Sequence, residues 1–138
     1  MEYYTSKGSY VPPRNALPPP PPPENKFITK DSGKREEYST GAKRDTQEGK
    51  TRFDLIPITA LTRLADLYAR GAIKYDEFNW KKGIPYSRCY ASLLRHLYQW
   101  AKGDRDEDHL AAVAFGIFCL LHYDETRRSD LDDMDKYR

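Results

Sequence analysis

The stretch that most constrains this chain is Leu110–Leu121, twelve consecutive residues with no charge. It is too short to cross a bilayer, which needs about 20 apolar residues. Its apolar residues fall on every side of a helix, so the spacing predicts a central helix covered by other helices or by a second subunit. Directly before it stands Gly103-Asp104-Arg105-Asp106-Glu107-Asp108-His109, with four carboxylates and an imidazole in six residues. One or two acids suffice to cap a helix and complement its dipole, each worth about 1 kcal/mol. Four repel one another unless a cation compensates, so the turn is either an over-built cap or a divalent-cation site. Asp104 and Asp108 are four apart and Asp106 and His109 three apart, spacings that share a face where the backbone is helical.

Upstream, Tyr86–Lys102 carries a second helical pattern, with Tyr86, Tyr90, Leu93, Leu94, Leu97, Trp100 and Ala101 on one stripe. His96 falls at the flank of that stripe, on the edge toward the acidic turn, and Gly103 is the expected stop. A first helix is predicted from the recurrence of Ile58, Leu61, Leu64, Ala65 and Tyr68, with Asp54 as N-cap, Pro57 in the first turn and an end or kink at Gly71. Between these helices, Lys74–Trp80 mixes aromatics with a cation and an amide, which suits either a base-and-phosphate pocket or a loop pinned by Phe78 and Trp80. Gly41–Asp54 is loop chemistry, with Lys43, Arg44, Lys50 and Arg52 among glycines. Its spacing is not that of a Walker loop, and a solvated loop is the simpler reading of it.

The chain divides by composition into three parts: residues 1–40, 41–125 and 126–138. The first contains eight of the ten prolines, six of them in the unbroken run Pro18–Pro23, and is predicted to be disordered, as a spacer or as a docking segment for a polyproline-binding partner. The last is charged, and Leu131, Met134 and Tyr137 allow at most a marginal, frayed helix there. Net charge is only +2, but residues 41–82 hold nine Lys/Arg against six Asp/Glu while 104–138 hold five against ten. That asymmetry fits either a site holding a polyanion through metal and basic side chains or simply complementary surfaces. Basic residues are borne on loops and the C-terminal part is acidic, which argues against nucleic acid. Cys89 and Cys119 have no metal-type spacing and read as reduced core thiols of a soluble, cytoplasmic protein.

Taken in order, the blocks Gly41-Ala42-x-Arg44-Asp45, Gly49-Lys50-x-Arg52-x-Asp54-Leu55-Ile56-Pro57, Gly71-Ala72-x-Lys74-Tyr75, Asn79-Trp80-x-Lys82-Gly83, Arg95-His96 and Gly103-Asp104-x-Asp106-Glu107-Asp108-His109-Leu110-Ala111-Ala112 carry a resemblance. Together they resemble the N-terminal domain of phage-type dATP/dGTP diphosphohydrolases, which are MazG-like nucleotide pyrophosphohydrolases. The resemblance covers about 41–125 and implies an all-α domain of three main helices that assembles as dimers or tetramers. It implies Mg²⁺- or Mn²⁺-assisted cleavage of a purine deoxynucleoside triphosphate to monophosphate and pyrophosphate, in phage nucleotide metabolism in the host cytoplasm. By the same resemblance Asp104, Asp106, Asp108 and His109 are metal-ligand candidates, and His96 and Glu107 are catalytic candidates at the same metal site. Lys43, Arg44, Lys50, Arg52 and Lys74 would hold the triphosphate, and Tyr75, Asn79 and Trp80 the base. The paired-glutamate Glu-x-x-Glu helix of better-known MazG enzymes is absent, Asp66 being the only acid within the first helix. Gly116 stands where the closest family pattern tends to have Asn. Those departures leave a non-catalytic interaction protein with a relic nucleotide-binding domain as the alternative.

Overall fold

The computed structural model describes residues 27–138, so the proline run and the N-terminal tyrosines lie outside the described residues. The chain forms two units, the first ending at Lys50 and the second covering Thr51–Arg138. The described part of the first is a hairpin of β1 (Arg35–Glu37) and β2 (Lys43–Asp45), antiparallel with Glu36 opposite Arg44. Residues 35–37 were expected to be disordered, since nothing there has an apolar period. What orders them is turn chemistry and charge. Gly41 adopts φ 81° where the loop returns, with its N–H donating to Tyr38 O at 2.8 Å. Arg35 is held between Asp31 and Asp45, at 2.7 and 2.9 Å.

The second unit is all-α. Its three helices are α1 (Ile58–Lys74), α2 (Tyr86–Lys102) and α3 (His109–Glu125), and α3 packs against both of the others. Two details at α1 differ from expectation. Pro57, not Asp54, precedes the first helical residue, because Asp54 is drawn into a short 3₁₀ turn (Phe53–Leu55) and held there by both arms of Arg52 at 2.8 and 2.6 Å. Gly71 does not end the helix, which runs a further turn to Lys74 while the Gly71 carbonyl accepts the Tyr75 N–H. The limits of α2 agree with the sequence pattern, and Gly103 at φ 97° closes it. The Gly103 N–H bonds Trp100 O and the Asp104 N–H bonds Gln99 O, both at 3.0 Å, the paired closure that a left-handed glycine permits.

The core lies between α2, α3 and the loop joining α1 to α2. Cys89, Cys119 and Tyr123 are buried at its centre, with Trp80, Ile84, Tyr86, Phe115, Leu120 and Leu131 packed around them. Both cysteines are free. Tyr123, wholly buried, donates from its hydroxyl to Trp80 O at 2.6 Å and accepts from the Ile84 N–H at 3.2 Å, tying the loop to α3. The stripe read on α2 is only partly covered: Leu93 is buried, but Leu97 and Trp100 are about two-fifths exposed. On α3, Leu110, Ile117, Phe118 and Leu121 form an exposed face, so among the described residues the helix is covered on two sides rather than all round.

The C-terminal segment is docked rather than frayed. It forms 3₁₀ turns at Ser129–Leu131 and Met134–Tyr137. Leu131 enters the core, and Asp133 accepts the Ser87 N–H at 2.8 Å, capping the start of α2 from a distance in sequence. Gly83, at φ 103°, lets the segment approach: a Cβ there would lie 2.7 Å from Arg128 and 3.0 Å from Leu131. Among the described residues no helix is long and apolar enough to cross a membrane.

Candidate metal and nucleotide cleft

The α2–α3 turn gathers its acidic residues by three separate devices, and they do not all point to one place. Asp108 is the N-cap of α3, accepting the Ala111 N–H at 3.1 Å, and both its oxygens are taken by Arg63 of α1 at 2.6 and 3.0 Å. That guanidinium, foremost by hydrogen bonding, holds the Asp108 carboxyl below its usual pKa. Asp104 lies 3.5 Å from Lys102 Nζ at the end of α2. Arg105 turns back to donate to the Trp100 and Asp104 carbonyls, quenching the negative end of α2.

The remaining residues converge. His109 is 2% exposed, at the first position of α3. Its Nε2 is 2.8 Å from Asp106 Oδ1 and its Nδ1 is 2.9 Å from His96 Nδ1. Donor atoms of His96, Glu107 and His109 all lie within 4.8 Å of one another. The flank position of His96 on α2 is what brings it there. Burial, reinforced by the neighbouring Arg95 charge, lowers the His96 pKa, which favours the neutral ring with one nitrogen lone pair free to ligate. The His109 hydrogen bond lowers the Asp106 pKa, so Asp106 stays a carboxylate that fixes the His109 ring.

This donor set fits a divalent cation. Two imidazoles and a carboxylate offer three ligand atoms, and a ligating histidine whose other nitrogen is held by a carboxylate is the usual supporting arrangement. Within the cluster His96, Glu107 and His109 would be the ligands and Asp106 the residue that orients one of them. Asp108, committed to Arg63 and to the helix cap, and Asp104 stand outside it. One turn beyond His96, Gln99 Oε1 is the only buried side-chain oxygen or nitrogen among the described residues without a hydrogen-bond partner.

The cluster helps to line an open cleft of about 1400 Å³ bounded by α1, the α1–α2 loop, α2 and the α2–α3 turn. Lys74, Tyr75, Asn79 and Trp80 all line it. Trp80 is also pinned: its ring meets those of Tyr68 and His122 edge-on, with centroids 6.5 and 4.8 Å away. Phe78 behaves otherwise. It is 58% exposed, faces the cleft in a left-handed conformation at φ 57°, and has the Lys81 ammonium 4.3 Å over its ring. A bulky side chain in that region is strained, and here the strain presents an aromatic face beside the exposed Tyr75 ring. Of the cations assigned from the family blocks, Arg52 is paired with Asp54 and does not line the cleft. Lys43, Arg44 and Lys50 belong to the hairpin unit. The cleft's own cations include Arg63 and Arg70, which stand on α1 outside the family blocks and carry no sequence signal beyond that of a solvated helix face.

A three-helix unit with an imidazole–carboxylate cluster opening into a cleft edged by aromatics and cations defines a small all-α domain. Residues 40–134 match the model of the dATP/dGTP diphosphohydrolase N-terminal family, and the chain belongs to that family. No curated protein and no solved structure matches it significantly.

Proposed function

We propose that this protein hydrolyses purine deoxynucleoside triphosphates, dGTP or dATP, to the monophosphate and pyrophosphate, with a divalent cation held by His96, Glu107 and His109. The observation that carries this reading is that cluster, in the cleft of a chain belonging to a diphosphohydrolase family. A divalent cation bound there neutralises phosphate charge and activates water for attack on the α-phosphorus. The chain's own residues do the rest. Asp106 fixes the His109 ring, burial keeps His96 unprotonated, and Asp108 joins the turn to α1 through Arg63. Tyr75 and Phe78 offer exposed rings on which a purine can stack, with Asn79 beside them to read its edge. Two imidazole donors favour Mn²⁺ over Mg²⁺, which prefers oxygen ligands and water.

The reaction adds one water: its oxygen bonds to the α-phosphorus, the bond to the β-phosphate bridge breaks, and pyrophosphate leaves. The test is incubation of the full-length protein with each of the four dNTPs and Mn²⁺ or Mg²⁺, resolving the products by ion-exchange chromatography. Pyrophosphate and monophosphate from the purine nucleotides are the expected products, faster with Mn²⁺. Release of orthophosphate alone, or no turnover in any mixture, defeats the proposal. We further propose that the protein acts in the cytoplasm as a homo-oligomer, the exposed face of α3 meeting a second copy. Light scattering of the wild type and of Phe118→Glu tests this, and a monomeric wild type refutes it.

A further inference from the structure

We infer that one face of α1, carrying Arg63, Arg70 and Lys74, is the cradle for the polyphosphate of the ligand; the inference rests on the nucleotide-hydrolase reading and assigns residues to it. Steps of seven and four residues bring the three to the same side of a helix. All three line the cleft, with Leu67 and Gly71 between them on the same face. Gly71 is unusual there. A glycine inside a helix costs about 1 kcal/mol relative to alanine, and a Cβ at Gly71 would meet nothing within 4 Å, so packing does not require its absence. What the glycine does is leave the backbone bare between Arg70 and Lys74, where a bulky anion would approach.

The three cations are differently committed. Arg63 already spans to Asp108 and so ties α1 to the acidic turn. Lys74 hovers 5.2 Å over the Tyr75 ring, a contact weak enough to give up. Arg70 lines the cleft and has no hydrogen bond or ion pair to its side chain among the described residues. An exposed guanidinium facing a cleft, with its fork of donors unused, is suited to bidentate contact with a phosphate.

The wider charge pattern selects the ligand class. The α1 residues lining the cleft include the cations Arg63, Arg70 and Lys74, while the α2–α3 turn contributes Asp104, Asp106 and Glu107. Carboxylates outnumber cations in the lining as a whole, so a bare polyanion would be repelled by the turn and a bare cation by α1. A polyphosphate carrying a divalent cation satisfies both, with the metal toward His96, Glu107 and His109 and the outer phosphates toward Arg70 and Lys74.

The test uses sodium tripolyphosphate, which has the phosphates without base or sugar, titrated calorimetrically into the full-length protein with Mn²⁺ in excess. Arg70→Ala and Lys74→Ala should each weaken binding about tenfold, the loss of one charge-assisted contact. Arg88→Ala, an exposed α2 site off the cleft, should bind like wild type. Helical circular dichroism confirms that each variant is folded, and Arg70→Lys should recover part of the loss. Wild-type affinity in Arg70→Ala, or a loss that follows Lys50→Ala in its place, overturns the cradle. Failure of the two readings is distinguishable. Tripolyphosphate binding lost in Arg70→Ala alongside a wild type that cleaves no dNTP keeps the cradle and rejects the hydrolase. Cleavage with an unchanged KM in Arg70→Ala does the reverse.

Discussion

Gly116 is the most sensitive position in the α2–α3 packing, and substituting it tests whether that packing sets the metal cluster. A Cβ added at Gly116 would lie 3.1 Å from Leu93 Cβ and 3.3 Å from Leu93 Cδ2, with Cys89 O at 3.6 Å. The first of these is decisive, because Leu93 Cβ is fixed to the α2 backbone and cannot rotate away. Gly116→Ala gains about 1 kcal/mol of helix propensity. Forcing two packed helices apart by a few tenths of an ångström costs about 1–3 kcal/mol. The net expectation is a loss of about 1 kcal/mol, which for a unit of this size lowers the melting temperature by about 4–8 °C. Gly116→Asn, with a larger side chain to place at the same crossing, should lose more. Leu93 is one turn before His96 and Gly116 is two turns after His109, so the displacement falls on the 2.9 Å His96–His109 approach. Scanning calorimetry and Mn²⁺ titration together read both consequences. A Gly116→Ala protein that melts at or above the wild-type temperature with unchanged Mn²⁺ affinity would refute this account of the glycine.

Three other perturbations follow from the geometry. Tyr123→Phe strands the Trp80 carbonyl and the Ile84 N–H, and should cost about 1–3 kcal/mol, seen as a lower urea midpoint at unchanged m. Asp106→Asn removes the carboxylate that orients His109 and should weaken Mn²⁺ binding about tenfold to hundredfold, measured by paramagnetic resonance, with helix content intact. Asp108→Asn keeps a capping side chain but loses the Arg63 charge pair. Because the folded Asp108 pKa is depressed, the stability it adds is complete above the ordinary carboxylate value of about 4 and declines as pH falls below it. The stability difference between wild type and Asp108→Asn in denaturant titrations should therefore shrink on acidification; a constant difference would mean that the Arg63 pair contributes nothing.

Local signals in the sequence were legible at Gly103, which ends α2 because a left-handed glycine acts within a single turn. The acidic turn announced the start of α3 without showing that Asp108 is its cap. Asp54 shows the limit of that reasoning, since a good capping residue was claimed first by Arg52, two positions away. The hairpin was illegible for a related reason. Its order comes from Asp31, Arg35 and Asp45 meeting across strands, and a charge-paired strand has no apolar period to read. The docked C-terminal segment depends on Leu131 and Asp133 finding Gly83 and Ser87, partners more than forty residues away.

The site divides along the same line. Glu107 and His109 are conspicuous because they sit in one dense turn, and His96 was noticeable as a histidine at the edge of an apolar stripe. Arg63 and Arg70 were not, because cations at seven- and four-residue steps along an amphipathic helix look like any solvated face until another element closes over them. Nor could density alone tell which acids serve the cluster. Four carboxylates stood together in sequence, but one became a cap and ion-pair partner, one paired with Lys102, and one turned to hold a histidine.

Helix α3 owes its lack of periodicity to three demands made on one helix. Toward α2 it needs small residues at the crossing, which Gly116 and Cys119 supply. Toward α1 and the α1–α2 loop it needs large ones: Phe115 meets Tyr68 of α1, and Tyr123 meets Trp80 of the loop and Tyr86 at the start of α2. Its third side, Leu110, Ile117, Phe118 and Leu121, stays exposed among the described residues and would ordinarily be polar. Two helices and a loop cannot enclose a third, so an uncharged run twelve residues long exceeds what this unit can bury. The excess is confined to one face rather than scattered, and Leu110 at its end lines the cleft. In the proposed assembly, a second copy covering that face would therefore meet the rim of the site as well as the helix, coupling the state of association to the shape of the cleft.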